Sequence, residues 1–63
     1  MNPTQSRIMA IMRENPRASA RSIAAEIGIT PRNIEANISL LKKYGLVERA
    51  GSAKSGRWTV KRP

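Results

Sequence analysis

One four-residue junction restricts this chain more than any other feature. At Gly28-Ile29-Thr30-Pro31 a helix stop and a helix start follow each other almost without a gap. Glycine adopts the left-handed conformation that closes a helix. Threonine caps the helix that follows, and proline suits its first position, where the missing N–H costs nothing. Ile29, a lone apolar residue in the turn, is expected to plug the core between the two helices.

The flanking sequence agrees. Before the junction, Ser19 is a good N-cap, and Ile23, Ala24 and Ile27 share one helical face. After it, Ile34, Ile38 and Leu41 are spaced four and three apart. Glu35 suits the N-terminal end of this helix dipole, and Lys42 and Lys43 suit its last turn. Gly45 ends it. Upstream, Pro3-Thr4 opens a first helix with Thr4 as cap, and Ile8, Ile11 and Met12 form its stripe. Asn15-Pro16 stops that helix, because the residue before proline avoids helical angles. Met9 and Ala10 lie off the stripe and are expected to be partly exposed, and Arg17-Ala18 suits a single extended bridge.

Beyond Gly45 the apolar period changes from near four to two. Leu46-Val47-Glu48-Arg49 reads as a strand, and Arg57-Trp58-Thr59-Val60-Lys61 alternates, with Trp58 and Val60 facing in. Gly51-Ser52-Ala53-Lys54-Ser55-Gly56 between them is rich in turn formers, so the two strands form a β-hairpin with a basic tip. The chain is therefore expected to be α+β, with helices over about 4–15, 20–27 and 31–44 and strands over about 46–50 and 57–61.

Sixty-three residues make one domain, spanning 1–63, with one small core. A chain this short buries only about 60% of the surface it exposes when unfolded. The expected core is Ile8, Ile11, Met12, Ile23, Ala24, Ile27, Ile29, Ile34, Ile38, Leu41, Leu46, Val47, Trp58 and Val60. There is no Cys, His or Asp, which excludes disulfides, thiol chemistry and Cys/His zinc sites. The carboxylates Glu14, Glu26, Glu35 and Glu48 are too evenly spread for a metal cage. No cofactor, no metal and no enzymatic activity are expected. No apolar run reaches the length of a membrane span, and the first residues lack a signal-peptide pattern, so neither a membrane nor export is expected. The expected location is the cytoplasm, at the nucleoid.

Twelve Lys and Arg against four Glu leave a net charge of +8. Such an excess on so small a body strains the compact state by self-repulsion and points to a polyanionic partner. The two aromatic residues, Tyr44 and Trp58, are too few for base stacking on single strands. A duplex is the better match. With Ile34, Ile38 and Leu41 turned inward, the third helix presents Arg32, Ala36, Ser39 and Lys43, flanked by Asn33 and Leu40. That face has no carboxylate. Its N-terminal residues Arg32, Asn33 and Ala36 are candidates for base edges, since an asparagine amide pairs bidentately with adenine. Lys43 is a candidate for phosphate, as are Arg17, Ser19 and Arg21 at the start of helix two. The hairpin tip adds Ser52, Lys54, Ser55 and Arg57. Glu35 is expected to pair with Lys42 or a nearby arginine.

Helix, tight turn, helix and basic hairpin together resemble the winged helix-turn-helix domains of bacterial transcriptional regulators. The pieces that carry the resemblance are the IAAEIGIT turn, the R-N-I-x-x-N-I helix, the LLKKYGLVER exit and the GS-x-K-x-G-x-W-x-V wing, over about residues 5–61. The stretch from Ser22 to Val60 is similar to the C-terminal winged-helix domain of RecG-helicase-related regulators and of regulators found beside Fic-type domains. The resemblance implies binding of double-stranded DNA, with the third helix in the major groove and the wing on adjacent backbone or minor groove. By position it implies Arg32, Asn33, Ala36, Asn37 and Lys43 as contacts, with Lys54 and Arg57 on the wing. Members of that family usually carry the domain on a larger partner domain, so a larger parent chain is an expected partner. A homodimer is another, with Met9, Ala10 and Leu40 as pairing surface. A winged helix used for protein–protein or RNA contacts is the rival reading, because a fold does not determine its use.

Overall fold

Each helix begins where a side-chain oxygen takes up an orphan backbone N–H. The computed structural model describes residues 2–51 and 56–61. Helix α1 spans Pro3–Glu14, α2 Ala20–Ile27 and α3 Pro31–Lys43, and strands β1, Val47–Ala50, and β2, Arg57–Val60, follow. Ser19 and Ser22 cap α2 reciprocally, each hydroxyl accepting from the other's backbone N–H at 3.1 and 3.0 Å. Thr30 Oγ1 accepts from the Asn33 N–H at 3.2 Å at the start of α3. The cap of α1 is Asn2, not Thr4: its Oδ1 accepts from the Gln5 N–H at 2.7 Å. Pro3 decides this, since a proline fits the first helical position and holds the residue before it extended.

Helices α2 and α3 close in the same way. Gly28 and Gly45 take positive φ, 91° and 72°. The next residue then bonds back across the last turn, Ile29 N–H to the Ala24 carbonyl at 3.1 Å and Leu46 N–H to the Leu41 carbonyl at 2.9 Å. The closure throws an apolar residue back onto the body, and both Ile29 and Leu46 pack half-buried against the core.

The strands pair antiparallel in the register Val47↔Val60, Glu48↔Thr59, Arg49↔Trp58 and Ala50↔Arg57. Each is one residue shorter at its outer end than the alternation predicts, although the Lys61 N–H still donates to the Leu46 carbonyl at 2.9 Å. Lys61 and Glu48 form an exposed ion pair at 3.1 Å on the outer face. Solvent screens such a pair, so it aligns the strands and adds little stability.

The core joins all three helices to the hairpin. Ile8, Met12, Ile23, Ala24, Ile34, Ile38, Leu41, Val47 and Trp58 are buried as the periodicity predicts. Ile11, Ile27, Ile29, Leu46 and Val60 lie half-buried at its rim. Met9, expected to be partly exposed, is only 1% accessible, and Ala18 and Gln5 are buried as well. The reason is that α1 packs against α2, α3 and β2 together, so more than one face of it is covered. Burial also removes Met9 from any pairing surface.

Trp58 fastens the hairpin to this body. Its backbone N–H donates to the Pro16 carbonyl at 2.6 Å, and its indole Nε1–H donates to the Ala18 carbonyl at 2.8 Å. No bridge forms at Arg17-Ala18; the connector between α1 and α2 instead offers two carbonyls to one tryptophan. Replacing Trp58 by Phe keeps a ring but leaves the buried Ala18 carbonyl unpaired, which costs about 1–3 kcal/mol. In a domain of this size each kcal/mol lowers Tm by about 4–8 °C, so thermal unfolding followed by circular dichroism reads the loss directly. An unchanged Tm would contradict the assignment.

Candidate nucleic-acid interface

Helix α3 buries Ile34, Ile38 and Leu41 and turns the opposite stripe to solvent. Arg32, Ala36, Ser39 and Lys43 on that stripe are all exposed, as the spacing predicts. Positions 32, 36, 39 and 43 fall within one narrow sector at 100° per residue. Two cations, one methyl and one hydroxyl leave the stripe positive and low in relief.

The flanks differ from each other. On the side toward α1, Asn37 is half-buried, and its Nδ2 donates to the carbonyl of Asn33 at 2.9 Å and to Asn33 Oδ1 at 2.8 Å. Gln5 Nε2 donates to Asn37 Oδ1 at 3.2 Å. Asn33 itself is exposed in the first turn of α3. On the other side a shallow hollow of about 360 Å³ opens beside the start of α2, lined by Ser19, Glu35, Ser39, Lys42, Arg49 and Trp58 among others. The Lys42 ammonium lies 5.4 Å and the Arg49 guanidinium 4.7 Å from the Trp58 ring centroid. Both distances suit cation–π attraction, which holds the two charges beside the α2 N-terminus.

Lys42 therefore does not pair with Glu35. Seven residues separate them, about 10 Å along a helix axis, and the indole supplies a nearer partner. Two of the other carboxylates, Glu14 and Glu26, line a groove between α1 and α2. The third, Glu48, is held by Lys61.

The predicted contacts thus separate into groups. Arg32, Ala36 and Lys43 share the open stripe of α3, and Asn33 and Asn37 are hydrogen-bonded to each other beside it. Ser19 borders the hollow, and its hydroxyl is already engaged in capping. Arg21 is exposed one residue further along α2 than Ala20. Arg57 is exposed opposite Ala50, on the face of the hairpin away from Trp58. Lys54, with Ser52 and Ser55, lies outside the described residues.

A protein-family model described as winged helix-turn-helix DNA-binding matches residues 1–48. The chain belongs to that family. No curated protein and no solved structure matches it. The family match takes in the three helices and the first residues of β1, and the return strand Arg57–Val60 completes the two-stranded wing. DNA binding is what the family name states. Among the described residues no group of His, Cys, Asp or Glu could hold a metal ion, and no helix is long and apolar enough to cross a membrane.

Three residues at or beneath this surface have partners that no local sequence signal shows. Lys42 reads as a dipole partner in the last turn of α3, and only the packing shows it over an indole. Arg49 faces the body because it stands opposite Trp58, a fact that needs the register. Gln5 stands two residues after Pro3 and gives no apolar signal, yet it is buried, with its amide on Asn37 of α3. Since Ser19 caps α2 beneath the hollow, Ser19→Ala lowers stability by about 1 kcal/mol. Urea unfolding monitored by circular dichroism measures this as a lower midpoint with an unchanged m-value.

Proposed function

We propose that this winged helix binds double-stranded DNA in a sequence-specific way and serves as a transcriptional regulator. Helix α3 enters the major groove, and the wing rests on the adjacent backbone. The observation that carries the reading is the exposed stripe of Arg32, Ala36, Ser39 and Lys43, bare of carboxylates and bordered by the cations at Trp58. A small residue at position 36 lets the helix approach closely, while Arg32 and Asn33 in the first turn reach base edges. Asn37, whose amide is engaged with Asn33, acts at its side. Lys43, the start of α2 with Ser19 and Arg21, and Arg57 with Lys54 on the wing meet phosphates. Phosphate contacts orient the protein on the duplex, and base contacts select the sequence. The resemblance of the helix-turn-helix and wing motifs to those of RecG-related and Fic-associated regulators supports the regulatory role.

Binding measured over a salt series tests the charge reading. Neutralising about five phosphates gives a slope of log K against log salt near −4.5. A slope near zero would overturn the duplex reading in favour of protein contacts. Arg32→Ala narrows the affinity gap between preferred and altered base pairs by about 1–3 kcal/mol. Arg57→Ala weakens every duplex alike and reduces the slope by about 1. Identical behaviour of the two variants would refute the division between reading and anchoring residues.

A further inference from the structure

Gln5 is the buried polar side chain of the described core, 6% accessible, and its contact runs through α3 to a candidate base-reading residue. The orientation of each amide in the relay is determined by chemistry. A backbone carbonyl only accepts, so the atom of Asn37 at 2.9 Å from the Asn33 carbonyl is its nitrogen. The oxygen of Asn37 then faces α1, where only the nitrogen of Gln5 can meet it, at 3.2 Å. The second hydrogen of Asn37 Nδ2 goes to Asn33 Oδ1 at 2.8 Å, so the oxygen of Asn33 points along the helix toward Asn37. Its own Nδ2 makes no hydrogen bond among the described residues.

We propose that Gln5 is a positioning residue for sequence reading: through Asn37 it holds the Asn33 amide in one orientation before DNA arrives. The inference rests on the reading of α3 as the groove helix. Held this way, Asn33 keeps its Nδ2 hydrogens and one lone pair of Oδ1 for a partner, and an amide pairs bidentately through one N–H and its oxygen. That donor–acceptor pair fits the N7 and N6 amino group of adenine. An unrestrained asparagine would lose rotamer freedom on binding and could turn its amide to suit other bases; a pre-set one does neither. A purely structural latch between α1 and α3 would affect stability without favouring any base.

The test uses the whole chain and duplexes selected from a random pool. Affinities are measured by fluorescence anisotropy for the selected duplex and for each single-base-pair variant of it. Asn33→Ala is expected to lose discrimination at one A·T pair. Gln5→Met, similar in length but without a donor, lowers discrimination at that same pair about three- to tenfold, the worth of one hydrogen bond. Discrimination ratios at the other base pairs keep their original values. The double variant Gln5→Met/Asn33→Ala behaves like Asn33→Ala alone, because the two residues act as one unit. Thermal unfolding of each variant by circular dichroism separates a folding defect from a reading defect, and Gln5→Glu is the isosteric second variant. A carboxylate suits the first turn of α1, but it opposes oxygen to oxygen at Asn37, so the same base-specific loss is expected.

Equal weakening on all duplexes, additive losses in the double variant, or full discrimination at the Asn33 pair in both Gln5 variants would each overturn the proposal. The source of failure is visible in the same data. If Asn33→Ala leaves every base preference intact, the groove reading of α3 falls and this inference falls with it. If Asn33→Ala relaxes one position while both Gln5 variants leave it unchanged, α3 remains the reading helix and only the role of Gln5 is lost.

Discussion

The seating of Trp58 is the constraint on which the arrangement of this domain depends. Two four-residue strands make a hairpin that is at best marginally stable by itself. Here the inner-face residue of β2 drives an indole into the helical body and donates from both its nitrogens to the α1–α2 connector. The connector in turn ends at Ser19, the cap of α2. One side chain thereby relates the wing to the beginning of α2. Its ring also gathers Lys42 from α3 and Arg49 from β1, so core packing and surface charge meet at the same residue.

The excess charge becomes intelligible in this geometry. Eight net positive charges spread evenly over 63 residues would chiefly repel one another. In the folded chain Glu14 and Glu26 lie together in the groove between α1 and α2, and Glu48 faces Lys61 on the wing. The outward stripe of α3 carries Arg32 and Lys43 with no carboxylate on it, and the hollow beside it holds Lys42 and Arg49 together with the fourth carboxylate, Glu35. Fields of one sign concentrated along a helix steer a polyanion toward that helix.

Local signals were strong wherever a single residue type enforces a backbone state. Thr30-Pro31 starts a helix and Gly28 and Gly45 end two because caps, prolines and positive φ depend on near neighbours only. The one misplaced cap follows the same physics: Pro3 and Thr4 both signal a start, and the ring of Pro3 assigns the cap to Asn2. Burial was harder to read. A single apolar stripe describes a helix packed on one side, whereas α1 is enclosed by α2, α3 and β2, so Met9 and Gln5 sink into the interior. Lys42 suits the last turn of its own helix, but its indole partner lies sixteen residues away in sequence, on β2.

By itself, then, the amino-acid order determines the five elements, their sequence, the tight turn between α2 and α3, and the charged stripe that α3 turns outward. These follow from dihedral preferences and periodicity, which act over one or two turns of chain. Only tertiary structure decided that Arg49 and Lys42 share an indole, that Gln5 reaches Asn33 through Asn37, and that the wing hangs from the connector carbonyls of Pro16 and Ala18. Those contacts join residues remote along the chain. No local pattern encodes them, because strand register and the covering of a helix on several sides exist only after the elements have packed.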